Sequence, residues 1–175
     1  GQLVSSPYGD SILVNGTAHP YLDCPAQVVR LRLLNASTAR YYPFGFEGNV
    51  PFQVIASEGG LLDAPVTMDR IMLSSGERVE LLLDLTGMEG DSLLLMSYGS
   101  ELPMTMPGSN NLLWESSSLN GIDFPILRIR VGQPTADPIT TIPATLANVQ
   151  PYPEASAALT RIKEITGNGM VGGMS

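Results

Sequence analysis

Cysteine and histidine each occur once in the 175 residues, as Cys24 and His19. A single thiol makes no internal disulfide, and one imidazole with one thiol falls short of the four Cys/His ligands of a structural zinc site. A blue-copper centre needs two His and one Cys, so this sequence cannot build one alone, and a multinuclear copper cluster is excluded more firmly. A Ser/His/Asp triad would have to recruit His19. That residue stands between Ala18 and Pro20 in a predicted loop and is expected to be a plain surface side chain. Positive charge is also scarce: 9 Lys and Arg oppose 17 Asp and Glu, for a net charge of -8. With no Lys/Arg-rich run, the electrostatic footprint of a nucleic-acid binder is missing. No apolar run approaches the roughly 18 residues of a membrane-spanning helix. No basic segment followed by an apolar core opens the chain, and the first residue is Gly1 rather than Met, so a boundary inside a longer polypeptide is expected.

What the chain does have is glycine, proline and alternation. Its 18 glycines and 14 prolines suit many short strands joined by turns. In Val29-Arg30-Leu31-Arg32-Leu33 the apolar side chains take every second position, which on a strand puts Val29, Leu31 and Leu33 on one face and both arginines on the other. The pattern returns in residues 78–84 and in Leu127-Arg128-Ile129-Arg130-Val131. Arg30, Arg32, Arg128 and Arg130 are expected to meet Glu80 and Asp84 across strands. Ser11 to Gly16, Tyr41 to Phe46, Phe52 to Ser57, Arg70 to Leu73 and Ser92 to Ser97 are further strands. They are bounded by Asn15-Gly16, Gly48-Asn49, Gly59-Gly60, Ser75-Gly76 and Gly90-Asp91. Turn signals every ten to fifteen residues, with no helix-length amphipathic pattern before about residue 155, predict an all-β Greek-key sandwich or barrel. Thr17 to Ala26, with Pro20 and Pro25, reads as irregular. Residues 99–125 read as a long excursion before the last strand, and Gln133 to Pro153 as an extended, proline-rich segment. Ala155 to Ile165 is compatible with one or two helical turns or a β segment.

Few side chains invite chemistry. Cys24, five positions from His19 but in no nucleophile motif, is expected to be an inert, buried or half-buried thiol. Met104 and Met106 flank Thr105, and Met170 and Met174 lie near the C-terminus. Thioethers suit Cu(I), but flexible Met more often serves packing or interfaces. Asn15-Gly16-Thr17 and Asn35-Ala36-Ser37 match the glycosylation triplet, with Asn35 better placed to tolerate a turn after its strand. Asp10, Asp23, Asp63 and Asp69 lack calcium-loop spacing. Gly59-Gly60 lacks the context of a phosphate loop. No catalytic, cofactor-binding or metal-binding residue is assigned.

Several ordered pieces nevertheless resemble one family. They are Gly9-Asp10-Ser11-Ile12-Leu13-Val14-Asn15-Gly16; Arg30-Leu31-Arg32-Leu33-Leu34-Asn35-Ala36-Ser37 followed by Arg40-Tyr41; Val54-Ile55-Ala56-Ser57-Glu58-Gly59-Gly60-Leu61-Leu62; and Gly76-Glu77-Arg78-Val79-Glu80 ending in Leu83-Asp84. In content, order and spacing the chain is similar to the middle, cupredoxin-like domain of three-domain multicopper oxidases such as laccases, bilirubin oxidases and cuprous oxidases. The resemblance covers about residues 8–150. It implies a division into a cupredoxin-like domain at 1–132, an interdomain linker at 133–158 and the cut-off start of a third domain at 159–175. In that family the copper ligands lie on His-x-His and His-Cys-His segments of the first and third domains, and none occurs here. The resemblance therefore implies a domain that is inactive alone and holds no cofactor, with copper in the flanking domains. Those domains would be its partners, and the isolated domain could self-associate. The intact protein would couple one-electron oxidation of a substrate to reduction of O2 to water. Some relatives have lost copper and serve as periplasmic scaffolds of cell division, so a copper-free scaffold is the alternative. Either implies a periplasmic or secreted location.

Overall fold

Residues 8–110 and 117–161 are described in the computed structural model. Eleven strands are formed among them: β1 Leu13–Val14, β2 Thr17–Ala18, β3 Tyr21–Pro25, β4 Val28–Leu34, β5 Tyr42–Phe46, β6 Phe52–Ser57, β7 Gly60–Met68, β8 Ile71–Leu73, β9 Arg78–Asp84, β10 Ser92–Tyr98 and β11 Asp123–Gly132. They make a four-stranded sheet in the order β4-β9-β6-β7, a five-stranded sheet in the order β3-β11-β10-β5-β8, and the small hairpin β1-β2. This is the all-β sandwich expected from the alternation.

The β9 strand shows why. Val79, Leu81 and Leu83 are at most 2% exposed, while Arg78 and Asp84 face solvent. Its antiparallel partner β4 sets Val29 opposite Leu83, Leu31 opposite Leu81 and Leu33 opposite Val79. Both strands therefore turn their apolar residues to the same face. Because β4 is an edge strand, Val29, Leu31 and Leu33 are only half-buried. Between the sheets, Phe46 and Phe52 meet edge to face with centroids 5.8 Å apart, and Tyr42 stacks on Phe44 at 5.4 Å.

The arginine pairing divides by sheet. Arg30 and Arg32 both pair with Glu80, the latter at 3.4 Å. By contrast, Arg130 binds Asp23 through two contacts of 2.6 and 2.8 Å, and Arg128 donates to Ser92 Oγ. Asp84 takes no arginine and instead accepts the backbone N–H of Thr86. Strands β4 and β11 lie in different sheets, so their four arginines share no face.

Three elements depart from the sequence reading. Residues 17–26 contain β2 and β3, and β3 runs parallel to β11 from Tyr21 opposite Arg128 to Pro25 opposite Gly132. Gly60–Met68 is a strand of 9 residues despite Pro65. Both β3 and β7 are edge strands, where a missing backbone donor costs no ladder bond. The last strand begins at Asp123 rather than Leu127. Its register against β10 shifts between Leu95 and Met96, leaving Ile126 as an extra residue between Leu127 and Pro125. The alternation slips there, so Phe124, Ile126, Ile129 and Val131 are buried while Leu127 is half-exposed.

The proline-rich segment is fastened to the four-stranded sheet. Val28 N–H donates to Ile139 O (2.7 Å) and Thr135 Oγ1 bonds Gln27 Oε1 (2.7 Å) at the start of β4. On the opposite edge, Leu146 N–H donates to Asp63 O (2.8 Å) and Val149 N–H to Asp63 Oδ1 (3.1 Å). A single 3-10 turn follows at Glu154–Ser156. Met170, Met174 and the expected start of a third domain beyond residue 161 lie outside the described residues.

Candidate docking surface

The described residues singled out for chemistry sit in different parts of the fold. His19 is exposed in the β2–β3 turn with φ +49°. Cys24 is 7% exposed on β3 and belongs to the core cluster. Burial, with the neighbouring Asp23 charge adding to it, pushes its thiol pKa up, so little thiolate forms near neutral pH. A thiol reagent should therefore label the native chain at least ~100-fold more slowly than the chain in denaturant. Equal rates would refute that reading. Met104 is 69% exposed and Met106 half-buried. Among the described residues no group of three or more His, Cys, Asp or Glu is placed to hold a metal.

The two triplets have different fates. Asn15 and Gly16 form the β1–β2 turn, both with positive φ (+50° and +81°), and Asn15 is exposed. Asn35 is 2% exposed, and all its side-chain capacity is spent inside the protein. Its Nδ2 donates to Arg40 O (2.8 Å) and Leu73 O (3.0 Å), while its Oδ1 accepts Ser37 N–H (3.0 Å) and Ser37 Oγ–H (2.6 Å). Asn35 thus fixes the loop after β4, the turn role expected of it, and is closed to modification in the folded chain.

That loop delivers Arg40, whose role was not apparent in the sequence. It is 3% exposed, yet no carboxylate pairs with it among the described residues. Its guanidinium donates to Leu119 O (3.3 Å), Gly9 O (3.2 Å) and Ser117 Oγ (3.0 Å), and lies 5.4 Å from the Tyr8 ring centroid. Burial lowers its pKa from the usual arginine value. The described parts of the excursion, up to residue 110 and from 117, are consequently built into the fold: Tyr41 N–H bonds Pro107 O, Gly121 N–H bonds Gly108 O, and Ser109 Oγ–H bonds Met104 O.

Exposed apolar surface gathers elsewhere. A cleft of about 520 Å³ opens between the sheets beside the β1–β2 hairpin, lined by Leu13, Val14, Leu31, Leu33, Phe44 and Leu127 among others. Leu34 and Leu13 stand out to solvent near its rim, and Ile139, Val149 and Tyr152 do so along the proline-rich segment. Such an arrangement can pack against other protein surfaces.

The sandwich of two such sheets agrees with the family comparison, in which residues 3–111 match the model described as Multicopper oxidase. The chain belongs to the multicopper oxidase family. A solved multicopper oxidase, McoA from the hyperthermophile Aquifex aeolicus, superposes with a TM-score of 0.70 at 33% identity, over 90% of this chain and 33% of that one. Two curated relatives carry the name cell division protein FtsP. The one from Edwardsiella tarda is 37% identical over 159 residues, covering 87% of this chain and 31% of its own length. The one from a Rahnella species is 46% identical over 98 residues, covering 56% and 18%. This multicopper oxidase domain therefore spans about a third or less of the relatives it matches. Its single imidazole and single, buried thiol do not fit the two His and one Cys of a blue-copper centre.

Proposed function

We propose that this cupredoxin-like domain is the central spacer of a longer polypeptide, docking a domain on either side, and that the polypeptide is a periplasmic or secreted copper-free scaffold of the cell-division type. The observation that carries the choice is the likeness to FtsP, at 37% identity across 87% of the chain. The exposed apolar cleft and proline-rich segment supply surface for the neighbours. The second reading, a spacer within a copper-dependent oxidase that couples substrate oxidation to O2 reduction, is favoured by the TM-score of 0.70 to McoA.

Copper analysis of the intact polypeptide separates the two. After dialysis against Cu(II), the scaffold should retain far less than one copper per chain, show no intense blue absorption and consume no O2 with phenolic or Cu(I) reductants. Stoichiometric copper with O2 uptake overturns the scaffold reading in favour of the oxidase. Cells lacking the polypeptide should be longer under the scaffold reading, and an unchanged length distribution counts against it.

A further inference from the structure

The sequence holds three Asn-Gly pairs, Asn15-Gly16, Asn120-Gly121 and Asn168-Gly169, the last outside the described residues. Such a pair can modify itself. The backbone nitrogen after an asparagine can attack the side-chain amide carbon, and a following glycine, having no Cβ, crowds that approach least. The fold treats the two described pairs in opposite ways. Asn15 and Gly16 are the two-residue loop of the β1–β2 hairpin, both are exposed, and a Cβ built on Gly16 would meet nothing within 4 Å. Gly16 N–H donates no backbone hydrogen bond among the described residues. The hairpin strands have 2 residues each, so opening the turn costs little. In Asn120-Gly121 the attacking nitrogen is already committed. Gly121 N–H donates to Gly108 O (2.9 Å), Asn120 N–H donates to Ser117 O (3.0 Å), and Asn120 Oδ1 is sealed from solvent. A Cβ built on Gly121 would lie 2.4 Å from Asn110 Cβ, so the backbone there is packed hard against its neighbour.

We infer that Asn15 is a self-modification site, at which the chain deamidates through a cyclic imide without an enzyme, and that the fold withholds the same reaction from Asn120. Hydroxide takes the proton of Gly16 N–H, the nitrogen lone pair forms a bond to Asn15 Cγ, and the Cγ–Nδ2 bond breaks as ammonia leaves with a proton from water. Water then opens the imide at either carbonyl. Attack at Cγ gives aspartate. Attack at the backbone carbonyl carbon gives isoaspartate, whose main chain runs through the former side chain and is one methylene longer. The net change is loss of ammonia and gain of water, with no oxidation or reduction. A two-residue hairpin loop keeps its register only while both residues hold left-handed backbone angles, here φ +50° at Asn15 and +81° at Gly16. The extra methylene breaks that geometry. The isoaspartyl chain should therefore lose the pairing of Val14 with Thr17 and loosen the wall that β1 gives the apolar cleft. This inference does not depend on whether the parent is a scaffold or an oxidase.

The test incubates the full chain at mildly alkaline pH, native and in denaturant, and follows the two described Asn-Gly peptides by mass, with an isoaspartyl methyltransferase reporting isoaspartate. In denaturant Asn15 and Asn120 should convert at similar rates. In the native chain Asn120 should slow at least ~10-fold, as a reaction gated by local opening does, while Asn15 stays within about threefold of its unfolded rate. Asn15→Gln should abolish the product at the turn, because the longer side chain closes a ring far less readily. The isoaspartyl chain, separated by ion exchange, should lack the cross-strand contact of Val14 with Thr17 in NMR spectra, while β9 and β10 keep their hydrogen-exchange protection. Native Asn15 as slow as native Asn120 overturns the inference, as does native Asn120 as fast as Asn15. An intact contact of Val14 with Thr17 in the isoaspartyl chain overturns the loosening of the hairpin.

Discussion

Asn35→Ala is expected to lower the free energy of unfolding by about 3 kcal/mol. Four hydrogen bonds converge on this fully buried amide. Alanine leaves Arg40 O and Leu73 O without that donor and Ser37 N–H without its acceptor, in a site water does not reach. The Ser37 hydroxyl, 2.9 Å from Arg40 O and freed from Oδ1, can serve that carbonyl, which limits the loss. Asn35→Asp is the sharper variant. It keeps the acceptor for Ser37 but turns a carboxylate toward two carbonyl oxygens, so the folded state favours the protonated acid. The folded-state pKa then lies above the unfolded value, and the variant's deficit should shrink as pH falls from that raised value to about 4, and change no further below it. Chemical denaturation at neutral and acidic pH measures both effects. An Asn35→Ala chain within 1 kcal/mol of the original, on the order of one net hydrogen bond, would show that the loop after β4 is held by something else.

Arg40→Met should cost about 2–3 kcal/mol, with the damage centred on the excursion. Methionine replaces the aliphatic stem and relieves the burial of a charge, a gain that keeps the penalty moderate. It also strips the donors from Leu119 O and Ser117 Oγ and removes the cation beside the Tyr8 ring. Gly9 O keeps one partner, the Ser117 hydroxyl at 3.1 Å. Arg40→Lys should fall between, because one ammonium group cannot span acceptors that a planar guanidinium reaches together. Hydrogen exchange should quicken in 99–110 and 117–122 while β9 is unchanged. If protection falls uniformly or not at all, Arg40 is not the group that holds the excursion.

The legible parts of the fold were those where one face is wet. Strand β9 announces itself because Arg78, Glu80 and Asp84 alternate with residues that must be dry. Strand β3 was hidden by Pro25, which argues against a central strand and is harmless on an edge. Nothing in the composition tells which strand will be an edge. The slip at Ile126 is invisible for a related reason: a bulge changes the phase of the alternation without changing its residues. The holding role of Arg40 was not legible because its partners are mostly backbone carbonyls, 31 and 79 positions away. Asp63 lacks calcium-loop spacing, and its carboxylate instead meets a backbone N–H 86 positions on, a partner that no local pattern marks. The shortfall from the two His and one Cys of a blue-copper centre, in contrast, is a matter of counting, since the sequence has one of each.

The parallel seam between β3 and β11 has a kinetic consequence. Every strand of the four-stranded sheet lies within residues 28–84, whereas the five-stranded sheet needs both β3 and β11, joining Asp23 to Arg130 across 107 positions. Closing a loop of that length costs entropy before any contact repays it. The two sheets should thus mature in sequence, the four-stranded one first, with Tyr21–Pro25 the last strand to find its place. For that interval the core cysteine on β3 remains open to reagent, so a pulse of thiol label during refolding would time the closing of the seam.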